Sequence, residues 1–116
     1  MPEPNASDWT SQLRRGVLEL CVLRVLRDDA SYGYEIVTRL AALGPLAAGE
    51  NTLYPLLRRL KAEHFLETYS VDSPAGPPRL YYRLTPRGRE RLSSLQTEWT
   101  DMARAVERCL NDGAPA

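Results

Sequence analysis

The chain reads as a mainly α, α+β domain in the order αααββα, and three observations carry that reading. Apolar residues recur at helical spacing in three segments of the first half. Two β-rich alternating runs, "FLETYSV" and "RLYYRLT", flank the turn-dense "DSPAGPP". The last segment, Leu92, Leu95, Trp99, Met102, Val106 and Cys109, steps by 3 and 4 residues, the spacing of a heptad seam.

The first helix is expected over about residues 8–27, and its half from Val17 to Leu26 is apolar on most sides, as suits a central helix. Asp28, Asp29 and Ala30 break it, and Ser31 is a plausible N-cap for a second helix, "YGYEIVTRLAAL", closed by Gly44 and Pro45. In that helix Tyr32, Ile36, Leu40 and Leu43 recur at helical spacing. The third helix, in "NTLYPLLRRL", contains Pro55. Proline is tolerated in a first turn, where N–H groups lack intrahelical partners, so the helix is expected to begin near Asn51 or Thr52, both good caps. Leu53, Leu56, Leu57 and Leu60 then form one face, and Asn51, Tyr54, Arg58 and Lys61 the opposite stripe. A two-stranded hairpin with a protruding tip follows. Thr85 caps a last helix that starts at Pro86, and the first few residues and the closing "NDGAPA" are expected to fray.

These elements form one structural unit: a winged helix-turn-helix over residues 8–85 and a long helix over 86–110, packed on the first. A heptad seam at the end of a small domain has little of its own core left to cover. It is expected to meet a second copy of the chain in a symmetric homodimer through Leu92, Leu95, Trp99, Met102, Val106 and Cys109. The alternative is packing on the first helix alone.

Composition narrows the function. The 116 residues suit a single domain, and 43% hydrophobic with 26% charged residues is ordinary for a globular one. No run approaches the roughly 20 apolar residues of a membrane span, and the start lacks the basic-then-apolar order of a signal peptide, so a cytoplasmic location is expected. Cys21 and Cys109 lie far apart on apolar patterns, which suits reduced core thiols. A single His64, no metal-ligand spacing, no phosphate-cradling glycine loop and no paired-carboxylate motif argue against an enzyme, a metal or a cofactor. The net charge is zero, but residues 51–91 hold eight bases against four acids, a local +4 balanced by −4 elsewhere. Such a segment can be an electrostatic footprint for nucleic acid, although charge alone favours a plain solvated surface.

In a winged helix-turn-helix the third helix can enter the major groove, about 12 Å wide, while the hairpin tip reaches the backbone or minor groove. Arg58 can donate a bidentate fork to guanine, Asn51 can pair with adenine or cap the helix, and Lys61 can neutralise a phosphate. Tyr34 either hydrogen-bonds a phosphate or is a half-buried ring holding the second helix on the core. Tyr81 and Tyr82 point to opposite faces of a strand, so at least one is core. Arg83, Arg87, Arg89 and Arg91 read mostly as solvated surface. Trp99 either packs in the seam or, facing its symmetry mate, offers a slot for a planar aromatic molecule. Met102 would adapt to its shape, and Trp9 and Leu13 would wall the same space.

The residues "YGYEI" (32–36), "TLYPLLRRL" (52–60) and "YYRLTPRG" (81–88) resemble those of the PadR-like transcriptional regulators, over roughly residues 13–92. One long closing helix is similar to the short subfamily. The resemblance implies a dimeric winged-helix regulator, mostly a repressor, released from double-stranded DNA by a small molecule or another signal. It assigns DNA contact to Thr52, Tyr54, Arg58, Lys61 and, on the wing, Arg79. It also implies an aromatic effector site at Trp99, since multidrug-sensing members use a tryptophan in a similar position. Asn51 stands where many relatives have glycine, His64 where glycine often follows the third helix, and Pro78 and Leu80 where further polar or basic wing residues are common. The competing reading is a winged-helix module that binds a protein or ligand but no DNA.

Overall fold

The computed structural model describes residues 4–112. In chain order it contains α1 (Pro4–Val25), β1 (Ser31–Tyr32), α2 (Gly33–Ala41), a 3₁₀ turn (Gly44–Leu46), α3 (Glu50–Ala62), β2 (Leu66–Ser73), β3 (Gly76–Leu84) and α4 (Pro86–Asp112). The three strands form one antiparallel sheet in the order β1-β3-β2. The α+β winged arrangement is as the sequence predicts, with one strand more.

One core joins all the layers. Leu18, Val22, Leu23 and Leu26 of α1 meet Ile36 and Leu40 of α2, Leu53, Leu57 and Leu60 of α3, Leu66, Tyr82 and Leu84 of the sheet, and Leu92 of α4. Losing one such leucine side chain costs about 2–5 kcal/mol, so the faces chosen by the 3.6 and 2.0 periodicities hold the fold together.

Four expectations need correction. Ser31 does not cap α2: it is buried in β1, opposite Tyr82, and the residue at the N-cap position is Tyr32, with no side-chain cap. Tyr32 therefore belongs to the sheet, and Leu43, past the end of α2, is exposed. Helix α3 starts earlier than Asn51 or Thr52. Gly49 is its N-cap, and its carbonyl accepts from the Thr52 and Leu53 N–H groups at 3.1 and 3.0 Å. Pro55 thus lies one turn inside the helix, and the Asn51 carbonyl has no N–H four residues on to accept from. Asn51 is exposed, so water can satisfy that carbonyl at the helix's front end. The hairpin tip shrinks to Pro74 and Ala75, because β2 and β3 run into "DSPAGPP". A register shift between Val71 and Ser73 sets Asp72 against Pro77 and Pro78, a bulge that keeps both prolines out of the ladder. The thiols are not both core: Cys21 is half-buried, with its pKa pushed up by burial, whereas Cys109 is exposed on this chain.

Two junctions place the long helix and the wing. Helix α3 ends in a Schellman turn, in which the Phe65 N–H donates to the Leu60 carbonyl at 2.9 Å and the His64 N–H to Lys61 at 3.0 Å. His64 sits at the left-handed position with φ 66°, a conformation that glycine adopts without strain. Thr85 caps α4 as expected. Its hydroxyl accepts from the Gly88 N–H at 3.0 Å and donates to the His64 carbonyl at 2.6 Å, tying the end of α3 to the start of α4. Pro4 begins α1, and Asn111 and Asp112 are still helical in α4; the rest of the expected fraying falls outside the described residues.

Candidate nucleic-acid interface

Helix α3 buries Leu53, Leu57 and Leu60 completely, which turns Asn51, Thr52, Arg58 and Lys61 outward. Its three cations divide by their partners. Arg59 is held by Glu63 at 2.8 Å and Glu19 at 3.0 Å. Arg58 and Lys61 make no side-chain hydrogen bond or ion pair among the described residues, so both heads are available to an outside partner.

Tyr54 is not a free member of this stripe. It is half-buried and packs against Gly33, where a Cβ would overlap the tyrosine ring. Burial raises the phenol's pKa, and the nearby Glu50 carboxylate raises it further, so it stays a neutral donor at ordinary pH. "YGYEI" and "TLYP" are therefore two halves of one contact, in which the missing side chain of Gly33 receives the ring of Tyr54 and fixes the angle between α2 and α3. Behind it, Tyr82 is buried, and its pKa is raised by burial and by Tyr54 and lowered by Arg58. Tyr34, 62% exposed at the start of α2, packs on nothing that would make it a core ring.

Glu19 is the positioning residue that sequence reasoning passed over. Its side chain is 16% exposed and accepts from Arg59 at 3.0 Å and from Arg91 at 2.8 Å, so one carboxylate ties α1 to α3 and α4. Burial pushes its pKa up, but the hydrogen bonds and charges of Arg91 and Arg59 outweigh that and hold it below the usual carboxylate range. The available signal was an acid set within the apolar run "GVLELCVL". Arg91 is thus structural rather than a solvated cation.

On the wing, the Arg79 guanidinium lies over the Tyr32 ring, 4.5 Å from its centre, and Leu80 is exposed. The structure brings Asn51, Thr52, Arg58 and Lys61 onto one surface and leaves Arg79 on the sheet.

The other predicted group lies along α1 and α4. Leu92 is buried and Leu95 packs against the core, whereas Trp99 (45% exposed), Met102, Val106 and Cys109 are uncovered by this chain. Between α1, α4 and the 3₁₀ turn lies an apolar cleft of about 320 Å³, lined by Leu13, Val17, Cys21, Leu46 and Trp99 among others. Met102 lines an adjoining cleft with Leu13 and Trp99. Trp9 is exposed and lines neither.

The model of the transcriptional regulator PadR-like family matches residues 22–94. This chain belongs to that family. A PadR family transcriptional regulator from Eggerthella lenta superposes with a TM-score of 0.84 at 36% identity, over 93% of this chain and 94% of that one. A PadR-like regulator from Bacillus cereus gives 0.77 at 35% identity, covering 85% and 96%. Bacillus subtilis PadR, solved in complex with operator DNA, gives 0.65 at 27% identity over 69% of this chain and 46% of its own longer one. The matched segment runs from the core of α1 through the start of α4. It contains Gly33, Tyr54 and Gly88, whose packing accounts for the three motifs. No helix among the described residues is long and apolar enough to cross a membrane.

Proposed function

We propose that this PadR-like chain is a homodimeric DNA-binding repressor that reads an inverted repeat with α3 and is released by a planar aromatic molecule. The observation that carries the DNA reading is the sorting of cations on α3. Arg59 is consumed by Glu19 and Glu63, while Arg58 and Lys61 stand exposed and unpaired beside Asn51 and Thr52. The likeness to a PadR solved in complex with operator DNA supports a nucleic-acid partner. Arg58 reads base edges, Asn51 and Thr52 reach the groove from the helix's front end, Lys61 and Tyr34 hold phosphates, and Tyr54, packed on Gly33, orients the helix. Arg79 contributes charge from the wing.

The unpartnered stretch from Trp99 to Cys109 supports a second copy as its cover, with the α1–α4 cleft as the groove that receives it. A symmetric pair of α3 helices then selects half-sites about one helical turn apart. The apolar lining of the cleft and the exposed Trp99 ring favour a flat, hydrophobic effector over a charged one. The zero net charge and the exposed Leu80 on the wing favour the rival reading, a winged-helix module without DNA.

Band shifts on the DNA upstream of the chain's own gene separate the two. The expected outcome is a salt-sensitive complex that weakens sharply when one half-site is scrambled. Arg58→Ala should relax preference at particular bases by about 1–3 kcal/mol, and Lys61→Ala should weaken all sequences alike. Equal losses for both variants on every sequence would contradict this division of roles, and no complex at low salt would favour the module.

A further inference from the structure

The sheet face turned away from the helices carries an aromatic and cationic band of which the operator reading uses only Arg79. Alternation places Leu66, Tyr82 and Leu84 in the core, and therefore Tyr69, Arg79, Tyr81 and Arg83 on the opposite face, where β1 adds Tyr32. The three tyrosines run across all three strands. Tyr69 and Tyr81 stack at 5.7 Å with 20° between their planes, and Tyr81 meets Tyr32 at 5.4 Å. Arginines lie on these rings: Arg79 over Tyr32 at 4.5 Å and Arg83 over Tyr69 at 5.0 Å. At the foot of the sheet Arg87 lies over Phe65 at 5.1 Å. Arg83 is neutralised by Glu67 at 2.7 Å. Arg79 and Arg87 have no ion pair or side-chain hydrogen bond among the described residues.

A guanidinium held over a ring leaves N–H donors and part of its plane open to an outside partner. The donors suit a phosphate, and the open plane suits an unpaired base. Two such groups on an aromatic band make a stacking platform with net positive charge, the arrangement that holds single strands. A duplex keeps its bases stacked inside and can use only the edges. We propose that this outer wing face binds single-stranded nucleic acid, as a surface distinct from α3. Arg79 and Arg87 take phosphates and offer their planes to bases, and Tyr69 and Tyr32 hold the platform rigid.

The test is fluorescence anisotropy of the full chain with labelled oligo(dT), compared with a random blunt duplex of the same length. The expected result is tighter binding of oligo(dT). Tyr69→Ala, which removes the ring that props Tyr81, should loosen the platform and weaken binding at least about fivefold, the loss expected if one base no longer stacks on it. Arg87→Gln, which spares the tyrosine stack, should weaken it and reduce the slope of log K against log salt by about 0.7, one phosphate's worth. Arg87→Gln should leave operator band shifts unchanged and lower the urea midpoint by no more than about 0.5 M, the loss of one exposed cation–π contact, which shows that the weaker binding is not misfolding. Oligo(dT) binding no tighter than the duplex, or wild-type affinity in both variants, overturns the proposal. The oligo(dT) measurement needs no operator, so it stands or falls separately from the α3 reading.

Discussion

Gly88→Ala is the substitution whose cost the structure fixes most tightly. Alanine normally improves a helix over glycine by about 0.5–1 kcal/mol, so local propensity alone predicts a gain. At Gly88 a Cβ would overlap the carbonyl oxygen of Phe65, with Leu84 Cδ2 a further 3.4 Å neighbour. The leucine can turn aside, but the carbonyl cannot, because it accepts the Thr85 N–H at 3.1 Å. Relief requires the first turn of α4 to lift away from β2. That movement loosens the Thr85 bond to Phe65 and the cap between Thr85 and the Gly88 N–H, each about 1 kcal/mol. Residual overpacking adds about 1–3 kcal/mol. Setting the helix gain against these terms leaves a net loss of roughly 2–4.5 kcal/mol. With a urea slope of about 1.5 kcal/mol per molar, the midpoint should fall by roughly 1.3–3 M, measured at one fixed protomer concentration so that association does not confound it. A midpoint equal to or above that of the unsubstituted protein would refute the argument, because it would show that α4 does not press on Phe65.

At the same junction His64→Gly should act in the opposite direction. Relief of a φ of 66° should outweigh the extra freedom of glycine in the unfolded chain and raise stability by up to about 1 kcal/mol, read from the same urea curves. Glu19→Gln should cost on the order of 2 kcal/mol at neutral pH by weakening charged hydrogen bonds to Arg59 and Arg91. Because the folded pKa of Glu19 is lowered, its contribution is complete above the ordinary glutamate range and disappears as pH falls through the folded value. The difference between the two proteins should therefore close on acidification, and thermal melts across that range check it. In a Trp9→Phe background, planar aromatic ligands should quench Trp99 fluorescence, and a diverse panel with no quencher removes the effector from the proposed function.

Helix existence and face were legible wherever periodicity was long. The Leu53, Leu57 and Leu60 side of α3 and the Thr85–Pro86 start of α4 stand where the pattern puts them. Strand β1 was not legible, because two residues carry no period and Ser31–Tyr32 becomes a strand only through Tyr81 and Tyr82, some fifty positions on. Ser31 looked like a cap for the same reason that it is unusual here, a small polar residue just before a helix. Pro55 misled by two or three residues, because Gly49, by type a weaker cap than Asn51, supplies the start. In the candidate site the outward stripe of α3 was readable, but the sorting of its cations was not. Arg58 and Arg59 are neighbours with the same chemistry, and only Glu19, forty residues earlier, separates their roles.

The cap at Thr85 and the closeness of Gly88 to Phe65 weld α4 to the root of the wing. At 27 residues α4 is a rod about 40 Å long. If its outer half is gripped near Trp99, the wing root lies about 20 Å from the fulcrum. A tilt of five degrees there would swing the hairpin by nearly 2 Å, enough to part a hydrogen bond. A molecule wedged beside Trp99 would then need no relay of side chains to loosen the wing's hold, because the lever is a single piece.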